Sequence, residues 1–130
     1  MQLSEQQRSF VDTFGYLAFP ELFKPQEVSW IIEEFEMVLQ THGGGKKHDG
    51  SKRTIIVPTI EHSAKLSTLL DDPRILGTAS EILGDDFHYG SGAGNYYSGD
   101  TDWHPDGGYP ELFPVQLAFY TDPLTRDSAC

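Results

Sequence analysis

The ten residues TDWHPDGGYP, 101 to 110, hold one histidine with a carboxylate two positions away on either side: Asp102, His104 and Asp106. In extended backbone, residues two apart project from the same face, so an imidazole and a carboxylate at i and i+2 can converge on one ion. That pair is a borderline-hard donor set suited to ferrous iron, and two histidines with one carboxylate leave three coordination positions open for substrate and oxygen. Pro105 gives up a backbone donor, which suits a strand end or edge, and Gly107-Gly108 lets the chain turn sharply beyond the motif. The same residues also read as a solvated polar turn, and spacing alone leaves both readings open. Trp103 alternates with His104 and is expected to face a core.

Other chemistries are disfavoured by spacing. GSGAGNYYSG, 90 to 99, has glycines at 90, 92 and 94, misses GxGxxG and opens no helical pattern. HGGGKKHDGSK, 42 to 52, lacks the GxxxxGK[ST] order of a phosphate loop and reads as a surface connector. No GxSxG surrounds a serine, and the single cysteine, Cys130, has no intrachain partner.

The chain of 130 residues is the length of one domain, with 9 basic against 20 acidic residues and a net charge of −11. Such a charge repels phosphate backbones and anionic lipid heads, which argues against nucleic-acid and membrane partners and leaves small molecules and proteins. No apolar run approaches the roughly 20 residues that span a bilayer, and the absence of a disulfide framework fits a reducing, cytoplasmic setting.

Residues 1–85 are expected to be helix-rich. Ser4 and Gln7 form a capping box ahead of Phe10, Val11 and Phe14, and Gly15 can end that helix. A short strand is expected over Tyr16 to Phe19. Pro25 opens a second helix carrying Val28, Ile31, Ile32, Phe35, Val38 and Leu39 at helical spacing. Thr54 to Val57 reads as a strand, and Asp72-Pro73 caps a third helix that Gly84 stops. From 86 to 130 aromatics, glycines and β-branched residues replace that periodicity, with strands expected at Phe87 to Tyr97 and Val115 to Tyr120.

Taken in order, FGYLAFPELFKPQEV (14 to 28), RTIIVPTIEHSAKLSTLLDDPRILGTASEILGDDF (53 to 87), NYYSGDTDWHPD (95 to 106) and LAFYTDPLTRDSAC (117 to 130) resemble the phytanoyl-CoA dioxygenase family of Fe(II)- and 2-oxoglutarate-dependent oxygenases. The resemblance implies an α+β fold: a double-stranded β-helix, the cupin-like jelly roll, with N-terminal buttressing helices, here incomplete at its C-terminus. It implies His104 and Asp106 as iron ligands, with Asp106 preferred to Asp102. It also implies hydroxylation, because halogenating relatives replace that carboxylate with a small residue. Asn95 falls where the family places a polar contact to the cosubstrate.

The chain ends before the positions at which the family carries its second histidine ligand and the arginine that pairs with 2-oxoglutarate. His42, His48 and His62 match no ligand position; His88 is the nearest local substitute, and Arg53 and Arg126 are the nearest replacement cations. The expected function is therefore hydroxylation of a small organic substrate by a fragment or truncated member, using Fe(II) and 2-oxoglutarate. The alternative is an inactive short relative that binds a ligand or a protein. A jelly roll without its later strands exposes Phe113, Leu117 and Phe119, which implies a homodimer or a strand swap. Tyr96, Tyr97 and Tyr109 can line an apolar pocket beside the motif, or simply pack.

Overall fold

The computed structural model describes residues 2–44, 47–99, 102, 104 and 113–125. Four α-helices, one 3-10 turn and two short strands make up the described elements, in the order α1 (Glu5–Phe14), α2 (Pro25–His42), β1 (Thr54–Ile56), the 3-10 turn Ile60–His62, α3 (Ala64–Ser67), α4 (Pro73–Leu83) and β2 (Gly94–Tyr96).

Local signals set the helix ends. The Ser4 hydroxyl accepts from the Gln7 N–H at 3.2 Å, and the Gln7 side chain accepts from the Ser4 N–H at 2.9 Å. Gly15, at φ 76°, closes α1 in the left-handed region that a side chain would disfavour. Pro25 stands at the first position of α2, where its missing N–H leaves nothing unpaired, and Asp72 caps α4 by accepting from the Arg74 N–H at 2.8 Å. Burial follows less closely. α1 buries none of its residues; Phe10 instead packs on Phe14 and Tyr16, with ring centroids 4.6 and 5.3 Å apart.

The core lies between α2, β1, α3 and the turn that follows it. Ile31, Val38 and Leu39 of α2 meet Ile56, Leu66 and Leu69, flanked by Phe23, Trp30, Ile60 and Tyr96. β1 and β2 pair antiparallel in the register Thr54↔Tyr96, Ile55↔Asn95 and Ile56↔Gly94. An isolated two-stranded ribbon is marginal in water, so its persistence depends on what lies beneath it. Thr59 ties it down: its buried hydroxyl donates to the Ile56 carbonyl and accepts from the Gly94 N–H, both at 2.7 Å. A Cβ at Gly94 would sit 2.9 Å from the Thr59 hydroxyl oxygen, so only glycine fits there.

The jelly roll is not formed. Among the described residues the only sheet is this two-stranded antiparallel ribbon, and a double-stranded β-helix needs two packed sheets. The strand expected over Phe87 to Tyr97 shrinks to Gly94–Tyr96, because glycines at 90 and 92 interrupt the pattern before it. Val115 to Tyr120 is not part of any strand, since no described segment pairs with it. Tyr16 to Phe19 likewise forms no strand. The 3-10 turn and α3 had no counterpart in the sequence expectations. No described helix is long and apolar enough to cross a membrane.

The N-termini of α2 and α4 are joined through Arg74. Its guanidinium donates to the Asp72 carboxylate at 2.6 and 2.9 Å and to Glu27 at 2.6 and 3.2 Å, and also to the Leu22 carbonyl at 3.0 Å. Glu27 in turn accepts from the Lys24 N–H at 2.8 Å. The Arg74 side chain, followed by the Lys24 N–H, holds the Glu27 carboxyl below its ordinary value, and Arg74 does the same for Asp72.

Two outcomes are expected. Thr59→Val keeps the shape but leaves the Ile56 carbonyl and Gly94 N–H without their hydroxyl partner, so urea denaturation should show a loss of roughly 2–3 kcal/mol. A loss below about 1 kcal/mol would show that the hydroxyl does not hold the ribbon. Depressed carboxyl values contribute stability that is present above the ordinary carboxyl range and lost as pH falls through the depressed values. The chain should therefore lose stability progressively below about pH 4.5, the ordinary value for Glu27, and Arg74→Met should flatten that acid limb. An unchanged pH profile in the variant would remove the clamp from the account of acid stability.

Candidate functional site

The ribbon has two chemically different faces because alternate strand residues project to opposite sides. Thr54, Ile56 and Tyr96 face α2, where the Tyr96 ring packs on Phe35 with centroids 5.3 Å apart. The outer face carries Ile55, Val57 and Tyr97, all exposed. On that face Arg53 reaches across to the neighbouring strand. Its Nε and Nη2 donate to the Asn95 side-chain oxygen at 3.0 and 2.8 Å, and Nη2 also lies 3.3 Å from the Tyr97 hydroxyl. The guanidinium carbon stands 4.5 Å from the centre of the Tyr97 ring.

This arrangement pre-orients a cation. Asn95 and Tyr97 fix the guanidinium plane, and among the described residues Nη1 has no hydrogen-bond partner. A planar guanidinium held in this way suits a carboxylate. The Asn95 oxygen is engaged by Arg53, so the group presented outward is the arginine, with Asn95 as its support.

His104 and Asp102 are exposed. The His104 Nδ1 lies 2.7 Å from the Asp102 carbonyl oxygen. A carbonyl can only accept, so Nδ1 carries the proton, and in the neutral ring the lone pair is then on Nε2. This Nδ1–H to carbonyl bond is the support commonly found behind a metal-binding imidazole. His104 therefore fits the donor chemistry of a ferrous site. Asp106, Trp103, Pro105, Gly107, Gly108, Tyr109, Arg126 and Cys130 lie outside the described residues. Among the described residues no three His, Cys, Asp or Glu side chains converge as a metal set, and exposed His88 joins none.

The remaining histidines are engaged elsewhere. The His48 ring stacks on Tyr96, with centroids 4.6 Å apart and planes 10° apart, and its Nδ1 lies 3.0 Å from the Thr54 hydroxyl. The Tyr96 hydroxyl donates to the Glu36 carboxylate, and these groups with Lys47 line a cavity of about 270 Å³. Tyr96 thus faces this inner cavity while Tyr97 faces outward. Beside it, the Ser51 hydroxyl and then its N–H hold the Asp49 carboxyl below the ordinary range. His42 and His62 stack on each other. Neither the Arg53 platform nor these ring pairs has a local sequence signature. Only the ribbon register, pairing residue 54 with 96, brings 53 near 95 and 97.

Asn95→Ala is expected to release Arg53 without unfolding the chain, costing under about 1 kcal/mol because the pair is exposed. In NMR the Arg53 Nε–H should exchange faster with water in the variant. An unaltered exchange rate would show that Asn95 does not position the cation.

No family model and no curated protein matches the sequence, and no solved structure matches the fold.

Proposed function

We propose that the chain supplies part of an Fe(II)- and 2-oxoglutarate-dependent hydroxylase acting on a small organic substrate, with His104 and Asp106 as the residues that would hold the metal. The observation that carries this reading is the Nδ1–H bond from His104 to the Asp102 carbonyl within a His-Pro-Asp sequence. It sets the tautomer of an imidazole two residues in sequence from a carboxylate, the donor pairing such a metal takes.

When bound, the ferrous ion would supply the redox chemistry that couples decarboxylation of 2-oxoglutarate, giving succinate, to hydroxylation of the substrate. The chain's own work is binding and orientation. His104 donates a nitrogen whose tautomer is fixed, so no proton has to leave that nitrogen on metal binding. Asp106 contributes negative charge that favours a divalent cation. Arg53, fixed by Asn95 and Tyr97, is the candidate partner for the far carboxylate of 2-oxoglutarate, giving a charge-assisted contact in a chain whose net charge of −11 otherwise repels a dianion.

A second reading has its own observation. Phe113 is 75% exposed, and Val57, Tyr97, Tyr120 and Leu124 are also open to solvent. Apolar surface of this kind marks interaction sites as well as substrate walls, so a ligand-binding or protein-interaction role without turnover is the alternative.

Anaerobic Fe(II) titration distinguishes the two. Binding is expected to be weak, because two protein ligands lack the chelation of three, and both His104→Ala and Asp106→Ala should abolish it while Asp102→Ala changes it little. Unchanged binding in His104→Ala would sink the metal assignment. Among the described residues, which include all five histidines, no three His, Cys, Asp or Glu side chains converge, so none supplies His104 with the second histidine of a facial set there. The chain alone is therefore expected to form no succinate from 2-oxoglutarate, Fe(II) and oxygen. Robust turnover would require a ligand within it, for which His88 is the first residue to replace.

A further inference from the structure

Two histidines outside that site come from two elements that are separate in sequence and meet in space. His42 is the last residue of α2, and His62 is the last residue of the 3-10 turn. Their rings stack with centroids 3.8 Å apart and planes 11° apart, and both residues are exposed. The backbones beneath them are fixed. Gly43 closes α2 through its N–H to the Leu39 carbonyl at 2.8 Å, and a Cβ at Gly43 would meet the Leu39 Cδ1 at 2.8 Å. The 3-10 turn is held by His62 N–H to the Thr59 carbonyl at 3.1 Å and by Thr59 N–H to the Gly92 carbonyl at 2.8 Å. Ser63, just after it, donates from its hydroxyl to the Glu34 carboxylate of α2 at 2.7 Å, which locks the two elements together.

The geometry points to a two-histidine site for a borderline first-row cation such as Zn²⁺, bridging the C-terminal end of α2 to the 3-10 turn. Zinc takes imidazole nitrogen at about 2.0–2.1 Å, so two nitrogens sharing one ion at tetrahedral or right angles stand roughly 3 Å apart. The rings stand 3.8 Å apart but nearly parallel, and imidazole lone pairs lie in the ring plane, so binding one ion requires the two exposed imidazoles to rotate out of the stack until a nitrogen of each faces the ion. The last turn of a helix carries partial negative charge, which favours a cation beside His42, and the chain's net charge of −11 acts in the same direction. Two imidazoles without a carboxylate favour zinc, nickel and copper over ferrous iron, which separates this site from the His104 site in metal preference. Water completes the coordination. A bound ion would staple α2 to the turn that carries Thr59, and so would stabilise the fold by mass action.

The test uses the full, tag-free chain carrying His104→Ala, so that the outcome is independent of the proposed iron site. Zn²⁺ is titrated by calorimetry, and thermal melting is followed with and without the ion. Zinc binding and a raised melting temperature are expected. His42→Gln and His62→Gln should each lower the affinity at least tenfold and remove the thermal shift, while His48→Gln and His88→Gln should retain both. Copper(II) bound to the parent chain should show coupling to two nitrogens in its electron paramagnetic resonance spectrum, a readout that an altered fold alone would not produce. Zinc affinity unchanged in either His42→Gln or His62→Gln, or coupling to a single nitrogen, would overturn the site.

Discussion

Arg74 brings together the starts of the two longest helices, α2 and α4, and much of the remaining architecture depends on that junction. An arginine can only donate, and its five N–H groups form a rigid fork. Both carboxylates it meets already have local duties, since Asp72 caps α4 and Glu27 accepts from the backbone at the start of α2. Glu27 therefore fixes a helix start and the helix-to-helix contact at once, while Asp72 caps its own helix and orients the Arg74 that reaches across. The Arg74 side chain is only 28% exposed, and its guanidinium is bound in the bidentate manner that separates useful ion pairs from the many surface pairs that contribute little. A lysine would keep the charge but lose the fork. α4 buries only Ile75, Thr78 and Ala79, and its described contact with α2 runs through Arg74 and Glu27.

Phe23 extends the junction. Its ring lies 4.3 Å from the Arg74 guanidinium carbon and 5.5 Å from the Phe119 ring, so one aromatic links the helix clamp to the described segment 113–125. Further along α2, Val38 and Leu39 support Ile56 of the ribbon. α2 is thus the common support, with the clamp at its first turn, the ribbon near its far end and the stacked histidines at its last residue.

Features encoded by neighbouring residues were legible in the sequence, and features that require a distant partner were not. Ser4 with Gln7, Gly15, Pro25, Asp72-Pro73 and Gly84 mark real helix boundaries because caps act within a few residues. α3 was missed although Ser63 caps it by accepting from the Leu66 N–H, since four residues are too few to show periodicity. The jelly roll failed for the opposite reason. β propensity describes a residue that fits a paired, half-buried surface, and residues 115–120 have that composition without a described strand to pair with. At the candidate site, His104 and Asp106 could be singled out by type and spacing. The contact of Arg53 with Asn95 spans 42 residues and follows from register alone.

The ribbon separates structure from chemistry. Its inner face holds the Thr59 hydroxyl, Gly94 against Phe35, and Tyr96, so a change there alters the support before it alters any ligand contact. Its outer face carries Arg53, Asn95 and Tyr97, whose side chains contact one another. A short ribbon, marginal by itself, can in this way present a fixed cation to solvent because its packing against α2 and its bonds to Thr59 lie on the other side. Arg53 therefore owes its fixed geometry to Asn95 and Tyr97, which sit one on either side of Tyr96 in sequence, while Tyr96 between them is the residue that anchors the strand to α2.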